Sequence, residues 1–187
     1  MRVVGGSLRG RTLAAPKSPT IRPTADRLRE ALFNILVHAY DNPIEGARVL
    51  DLFAGTGALG IEALSRGAAF TLFVDDGTEA RALLRENVAT LGLGGTSRIF
   101  RRDATKLGPA HPVEPFSLAF LDPPYGKGLA ERALASARGG AWLMPDALIV
   151  VEEAKKSAFG APEGFAEIER RPYDDTEFVV LRFATPQ

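Results

Sequence analysis

Buried strands and amphipathic helices alternate along most of this chain of 187 residues. From residue 48 onward, short apolar runs are followed by glycine-containing turns and then by segments with apolar residues at helical spacing. This alternation is typical of a parallel sheet whose strands are joined by crossover helices. Strands are predicted over residues 48–53, 70–75, 97–102, 116–122 and 147–153, and helices over 58–65, 79–91 and 129–138.

The two ends of the chain have different patterns. Residues 165–171 and 176–183 alternate apolar and polar positions around a turn, which predicts an antiparallel hairpin. The first 15 residues predict a small hairpin, and the prolines of residues 16–23 predict an extended link before a helix that Thr24 can cap. The expected fold is an α/β, mostly parallel doubly wound sheet with an antiparallel C-terminal hairpin and a small N-terminal β-hairpin extension.

Composition limits the chemistry that the chain can perform. Cysteine is absent and only two histidines are present, which excludes disulfides and a cysteine nucleophile and disfavours a metal site. No apolar run reaches the roughly 18 residues of a membrane-spanning helix, and the N-terminus has no apolar signal segment. The sequence therefore predicts a cytoplasmic protein with no metal and no membrane contact.

Charge is unevenly distributed, although the net charge is zero. Residues 1–30 hold seven basic residues against two acidic ones, and the rest of the chain balances this excess. Such an asymmetry is found in segments that face nucleic acid, and also in solvated arms that have no partner.

The loop after the first predicted strand, Gly55 to Gly60, matches the glycine pattern GxGxxG of dinucleotide-binding loops. NAD is therefore one candidate ligand. However, Asp51 precedes Gly55 by four residues, near the place where a dinucleotide puts its pyrophosphate. Its carboxylate would repel two phosphates and would suit a ligand with an amino group and a sulfonium, such as S-adenosylmethionine.

Four aspartates end strands of the predicted sheet: Asp51, Asp75, Asp103 and Asp122. Because the carboxyl ends of parallel strands border one crevice, these side chains are expected on a single rim, where open α/β sheets bind ligands. Each one alone could instead cap a turn or helix. With S-adenosylmethionine as ligand, Asp75 would bind the ribose hydroxyls and Asp103 would lie near the adenine amine.

The stretch Asp122-Pro123-Pro124-Tyr125 follows the fourth predicted strand. A nucleobase amine is a weak nucleophile because its lone pair is delocalised into the ring. The Asp122 carboxylate and the Pro123 carbonyl can accept the amine hydrogens, and Tyr125 can stack on the base, a contact worth roughly 1–3 kcal/mol. Positioning would then provide most of the catalysis. The alternative is a Pro-Pro turn capped by an aspartate, with a tyrosine that only packs.

The absence of cysteine also limits which atom can accept a methyl group. Methylation at carbon 5 of a pyrimidine ordinarily needs a covalent thiolate adduct. A nitrogen is therefore the expected target.

These motifs resemble those of the class I S-adenosylmethionine-dependent methyltransferases, with "DLFAGTG" as cofactor loop and "DPPY" as amino-methylating motif. The leader, "RVVGGSLRGRTL" followed by "IRPTADRLREALFNIL", resembles that of the RsmD family of bacterial rRNA methyltransferases. The resemblance implies a Rossmann-like class I methyltransferase fold, S-adenosylmethionine without a metal, and methylation of the exocyclic N2 of one guanine in 16S rRNA of the small ribosomal subunit.

The resemblance also implies residue roles. The family usually has another acidic residue two positions after the ribose acid, where this chain has Gly77, so the division of ribose contacts between Asp75 and Asp76 stays open. The expected cofactor-binding residues are Asp51, Gly55, Gly57, Asp75, Asp103 and Thr24, and the expected catalytic residues are Asp122, Pro123 and Tyr125.

The basic leader is expected to face rRNA. Residues 1–23 would form a basic hairpin and linker, and residues 24–187 the methyltransferase domain. Phosphate contacts, which fix register without reading sequence, are expected from Arg9, Arg11, Lys17 and Arg22.

Other roles are expected for some basic residues in and after the leader. Arg22 to Thr24 could instead fold over the cofactor. Arg27 and Arg29 lie on the first predicted helix and are expected to pair with neighbouring acids or to face water.

Three other functions remain possible at this level. Another amino-methyltransferase, acting on DNA adenine or on a protein glutamine, would share the glycine loop and the Pro-Pro motif. A nicotinamide oxidoreductase is disfavoured by Asp51, and a non-enzymatic rRNA-binding assembly factor by the intact set of site residues. A monomer is expected; the sequence leaves open which guanine is modified and whether naked rRNA suffices.

Overall fold

A seven-stranded sheet forms the centre of the structure, a computed structural model that describes residues 1–17 and 25–184. The strand order is β3-β2-β1-β4-β5-β7-β6, in which the first five strands are parallel, β7 pairs antiparallel with β5, and β6 pairs antiparallel with β7. The strands are β1 (Arg48–Leu52), β2 (Phe70–Val74), β3 (Ser97–Phe100), β4 (Phe116–Leu121), β5 (Leu143–Ala154), β6 (Phe165–Tyr173) and β7 (Thr176–Phe183). This topology confirms the predicted fold class.

Helices cover both faces of the sheet because successive strand residues point to opposite sides. Leu50 and Leu72 belong to the apolar cluster under α4, whereas Val49 and Phe120 belong to the cluster under α1. The helices are α1 (Asp26–Ala39), α2 (Ala58–Ser65), α3 (Thr78–Thr90) and α4 (Leu129–Gly139).

Several element boundaries differ from the predictions, the largest difference being the start of β5 at Leu143 and not at residue 147. Helix α1 begins at Asp26, with Ala25 in extended conformation at the N-cap position and no side-chain cap; Thr24, the predicted cap, lies outside the described residues. Strand β3 ends at Phe100 because Arg102 leaves the sheet and donates a hydrogen bond to the carbonyl of Leu107.

The N-terminal hairpin is present in a reduced form, as a single antiparallel bridge between Arg2 and Thr12. It lies across α2 and α3, where Val3 and Leu13 are buried in an apolar cluster that contains Ile61 and Leu84. The hairpin therefore packs against α2 and α3 through Val3 and Leu13.

Within residues 1–17 and 25–184, none of the helices has the length and the apolar character that a membrane crossing requires.

Candidate active site

The glycine loop turns the chain sharply from β1 into α2. Gly57 occupies the N-cap position of α2 with a φ of 83°, in the left-handed region that favours glycine. A Cβ there would also lie 2.4 Å from Cδ1 of Leu84. Phe53, which is not a glycine, has a φ of 57°, and such strained positions are concentrated at functional sites.

Asp75 connects this loop to the beginning of α3. Its Oδ2 accepts a hydrogen bond from the amide of Gly55 at 2.9 Å, and its Oδ1 accepts one from the amide of Gly77 at 2.8 Å. A carboxylate has about four lone-pair sites, so Asp75 keeps acceptor capacity for ligand hydroxyls. Asp76 is exposed beside it.

Asp51 is buried beneath the loop, with 1% of its surface exposed. Its Oδ2 accepts a hydrogen bond from the amide of Gly60, near the N-terminus of α2, at 3.0 Å. Burial raises the pKa of Asp51 well above its ordinary value, the Gly60 amide opposes this rise, and the charge of Asp75 adds to it. In the structure, Asp51 therefore supports the loop and the start of α2 from below.

Asp103 caps the short 3-10 turn Ala104–Lys106 that follows β3. Its Oδ1 accepts hydrogen bonds from the hydroxyl and the amide of Thr105, at 2.6 and 2.8 Å. These bonds lower the pKa of Asp103, burial partly opposes them, and the nearby charges of Lys106 and Arg132 lower it further. Both bonds use Oδ1, and Oδ2 has no hydrogen bond from the described residues.

A cavity of about 230 Å³ joins these strand ends. Asp75 and Asp103, two of the predicted cofactor residues, border it from different strands, and Pro124 borders it from the loop after β4. The cavity therefore adjoins the D-P-P-Y loop, which we define as residues 122–125. Its lining consists of Phe53, Val74, Asp75, Asp76, Arg102, Asp103, Ala104, Thr105, Pro124, Leu129 and Arg132.

The cavity fits a nucleoside with adjacent hydroxyls and an amine. Acceptor oxygens of Asp75 and Asp103 lie on its wall, and the ring of Phe53 and the side chain of Leu129 supply apolar surface. The predicted residues Asp51, Gly55 and Gly57 shape the loop behind this wall and are not part of the lining.

The D-P-P-Y loop is held at both of its ends. Asp122 is half-buried directly after β4, and Pro123 is buried. The hydroxyl of Tyr125 donates a hydrogen bond to Oε1 of Glu152 at 3.0 Å and lies 3.1 Å from the hydroxyl of Thr176. In the sequence, Glu152 lies at the end of the predicted strand 147–153, and no role is predicted for it.

Glu62, in the middle of α2, is a second residue that no sequence motif indicates. It is fully buried, and its carboxylate accepts hydrogen bonds from the amides of Val4 and Gly5, each at 2.9 Å. It also pairs with Arg29 at 3.4 Å and with Arg66 at 2.8 Å. Glu62 thus connects the leader, α1 and α2.

The two arginines of α1, which were expected to pair with neighbouring acids or to face water, differ in their exposure. Arg27 is exposed and pairs with Asp174 at 3.1 Å. Arg29 pairs with Asp26 at 2.9 Å, as expected, but it is fully buried because it also reaches Glu62 and the carbonyl of Arg2.

The leader residues predicted to bind RNA are spread along α3. The Arg11 guanidinium donates to the carbonyl of Thr90 at the end of α3, and the Lys17 amide donates to Glu79 near its start. Glu79 and Thr90 are eleven residues apart along α3, which corresponds to roughly 16 Å. Lys17 therefore lies near the cavity rim, whereas Arg11 and the nearby Arg9 lie toward the opposite edge of the sheet. Arg22 lies outside the described residues.

Another cavity, of about 300 Å³, contains none of the predicted site residues. It lies where β1 and β2 begin, and it is bordered by Arg48 and Phe70. The Arg48 guanidinium donates to the carbonyls of Glu114 and Pro115 and lies 4.9 Å from the centre of the Phe70 ring. These contacts belong to packing, and this cavity lies at the edge of the sheet opposite to the predicted site residues.

The sheet order, the glycine loop and the adjoining D-P-P-Y loop define a class I methyltransferase. The family described as "Conserved hypothetical protein 95" matches residues 1–182. "Ribosomal RNA small subunit methyltransferase D" of Escherichia coli strain K12 is 41% identical over 152 residues, which are 81% of this chain and 74% of the relative. The protein of the same name from Haemophilus influenzae is 34% identical, over 91% of this chain and 88% of the relative. The chain therefore belongs to the RsmD family, as predicted.

Solved structures agree with this assignment. A candidate methyltransferase of Escherichia coli, yhhF, is 32% identical and superposes with a TM-score of 0.83, over 100% of this chain and 99% of that one. A hypothetical protein of Thermus thermophilus, TTHA0928, is 34% identical, with a TM-score of 0.73 over 96% of this chain and 98% of that one. The chain is thus a methyltransferase by sequence and by fold.

Proposed function

We propose that this protein transfers a methyl group from S-adenosylmethionine to the exocyclic N2 of one guanine in 16S rRNA, within the small ribosomal subunit. The observation that carries the proposal is the position of Pro124. It borders the same cavity as Asp75 and Asp103, so a nucleoside cofactor in that cavity would lie beside the D-P-P-Y loop. An RNA substrate agrees with the names of the relatives at 34–41% identity.

The cofactor is assigned to the cavity by its lining. Asp75 would accept hydrogen bonds from the ribose hydroxyls, and Oδ2 of Asp103 would accept one from the adenine amine. Gly55 and Gly57 allow the loop to approach the ligand closely, and Asp51 keeps that loop in place from beneath. When bound, S-adenosylmethionine supplies a methyl group that its sulfonium makes electrophilic.

The D-P-P-Y loop would bind the acceptor base. The Asp122 carboxylate and the Pro123 carbonyl would each accept a hydrogen from the guanine amine, which orients the nitrogen lone pair toward the cavity. The Tyr125 ring would stack on the base and fix its plane. These interactions act mainly by positioning, which alone accelerates reactions by large factors.

The leader would bind the rRNA backbone. Lys17 lies near the cavity rim, and Arg9 and Arg11 continue a line of exposed positive charge away from it. Together with Arg22, these residues are proposed to contact phosphates, which fix the register of the RNA. A division into a leader of residues 1–23 and a domain of residues 24–187, a monomeric state and a cytoplasmic location complete the proposal.

The experiment is methyl transfer from labelled S-adenosylmethionine to undermethylated small subunits, with the same rRNA stripped of protein as a parallel substrate. Double-stranded DNA and ribosomal protein without RNA are the controls. Cofactor binding is measured separately by titration, with NAD as a second control ligand.

The expected result is label in RNA alone, with S-adenosylmethionine bound and NAD not bound. Label in DNA or in protein would contradict the proposal and favour another amino-methyltransferase. Binding of NAD would revive the oxidoreductase alternative, and binding without transfer to any substrate would favour a non-enzymatic rRNA-binding factor.

A further inference from the structure

Two successive glutamates end the apolar run of β5 beside the D-P-P-Y loop. Glu152 and Glu153 are 3% and 2% exposed. Burial of carboxylates at a strand end is unfavourable for stability unless they have hydrogen-bond partners, and the preceding residues of β5 are apolar. Charged residues that interrupt an apolar strand in this way are expected at functional sites.

Glu152 holds the far end of the Tyr125 side chain. The Tyr125 hydroxyl lies 3.0 Å from Oε1 of Glu152 and 3.1 Å from the Thr176 hydroxyl. Thr176 makes its shortest contact, 2.8 Å, by donating to the backbone carbonyl of Glu153. The hydrogen of the Tyr125 hydroxyl is therefore available for Glu152, which is its charged acceptor.

Glu153 holds the backbone on the other side of the ring. Its Oε1 accepts a hydrogen bond from the amide of Gly126, directly after Tyr125, at 3.2 Å. The same oxygen accepts one from the amide of Ala154, also at 3.2 Å. Because Ala154 pairs with Thr176 in the sheet, the Tyr125 hydroxyl and the backbone amide that follows Tyr125 are both held by the β5–β7 pair.

We propose that Glu152 is a positioning residue for methyl transfer, which acts through the Tyr125 hydroxyl to hold the ring in the plane where the acceptor base stacks. This inference rests on the proposed function. A side chain that is held at its hydroxyl and at its backbone keeps the direction of its long axis, which limits the tilt of the ring face on which the base lies. Without Glu152 the ring remains but its hydroxyl loses its charged acceptor, so the ring can tilt, and a displacement of about 1 Å can lower a rate roughly 100-fold.

The test compares Tyr125→Phe, Glu152→Leu, Glu152→Gln and the double variant Tyr125→Phe/Glu152→Leu. Leucine preserves the volume of Glu152 without an acceptor, whereas glutamine preserves a carbonyl acceptor for the hydroxyl. Glu177→Leu is the matched control, because Glu177 is a buried glutamate of β7 whose carboxylate pairs with Arg170. The kcat, the KM for undermethylated subunits and the Kd for S-adenosylmethionine are measured for each variant.

Tyr125→Phe and Glu152→Leu are each expected to lower kcat roughly 10- to 100-fold, with the Kd for S-adenosylmethionine unchanged. Glu152→Gln should restore kcat to within about threefold of the wild type. The double variant should be no slower than Glu152→Leu alone, because both substitutions remove one interaction. Glu177→Leu should leave kcat unchanged.

Three results would overturn the inference. Tyr125→Phe could retain the wild-type kcat; the losses of the two single variants could multiply in the double variant; or Glu152→Gln could be as slow as Glu152→Leu. If Glu152→Leu does not fold, Tyr125→Phe and Glu152→Gln decide the matter alone. Absence of wild-type turnover on every substrate would refute the proposed function and the role of Glu152 with it, whereas normal wild-type turnover with any of these three results would refute the role of Glu152 alone.

Discussion

The most informative perturbation of the fold is Glu62→Gln. In the wild type, Oε1 of Glu62 accepts from Val4 and from Arg29, and Oε2 accepts from Gly5 and from Arg66. Glutamine keeps one oxygen but replaces the other by an NH2 group, which donates. At least two of the four bonds therefore become donor–donor contacts, and the fully buried Arg29 loses the counter-charge of Glu62.

The expected loss follows from the burial of these groups. An unsatisfied buried donor costs about 1–3 kcal/mol, and removal of one partner of a buried ion pair costs about 3–5 kcal/mol. These amounts overlap because all the bonds share one side chain, so we expect the free energy of unfolding to fall by about 3–5 kcal/mol. For a domain of this size, each kcal/mol shifts the Tm by about 2–4 °C, so the Tm should fall by roughly 10 °C.

Urea denaturation and thermal melting measure this loss. Glu86→Gln is the matched control, since Glu86 is exposed on α3, and it should change stability by less than about 0.5 kcal/mol. A Glu62→Gln variant within about 1 kcal/mol of the wild type would refute the reasoning, because the leader would then be held by its apolar contacts alone.

Three further predictions concern the site. Asp122→Ala should abolish methyl transfer while S-adenosylmethionine still binds in a titration; near-normal turnover would remove Asp122 from the mechanism. Asp51→Asn should be more stable than the wild type by an amount that grows as pH rises. Burial raises the pKa of Asp51 above its ordinary 3.8. The stability that the protonated Asp51 carboxyl contributes in the wild type is therefore complete below that value and is lost as pH rises through the folded-state pKa. A Tm difference between wild type and Asp51→Asn that does not grow from about pH 4 to about pH 7 would contradict this. Lys17→Ala should weaken rRNA binding and reduce the slope of log K against log salt by about 1, whereas an unchanged slope would exclude a phosphate contact.

Local patterns in the sequence were sufficient to predict the sheet and the glycine loop. Apolar runs and glycine turns predicted α2 and β7 with the boundaries that the structure has. The position of Gly57 required a left-handed turn, which glycine adopts readily. The aspartates after β2 and β3 border one cavity because the carboxyl ends of parallel strands meet at one edge of a sheet.

Contacts between distant parts of the chain could not be predicted in this way. Glu62 lies in the helix "ALGIEALS", where an isolated acid among apolar residues was a signal of a buried partner. Its partners Val4 and Gly5 are 58 and 57 positions away, and periodicity carries no information about such pairs. Glu152 gave a similar signal at the end of β5, but its partner Tyr125 comes from another loop.

The leader shows a further limit of sequence patterns. Its excess of positive charge indicated a surface for nucleic acid, but charge alone does not give the arrangement of the residues. In the structure, the hydrogen bond between Ala14 and Asn87, at 2.7 Å, fixes the returning strand along α3. This contact depends on a buried asparagine of α3, which a count of charges does not detect.

The central claim is methylation of a guanine amine, and the identity of the product nucleoside tests it most directly. Undermethylated small subunits are incubated with the protein and S-adenosylmethionine, the rRNA is digested, and the methylated nucleoside is identified by mass and by comparison with standards. N2-methylguanosine, absent when Asp122→Ala replaces the wild type, is the expected product. N6-methyladenosine, a carbon-methylated base or no methylated nucleoside would contradict the assignment.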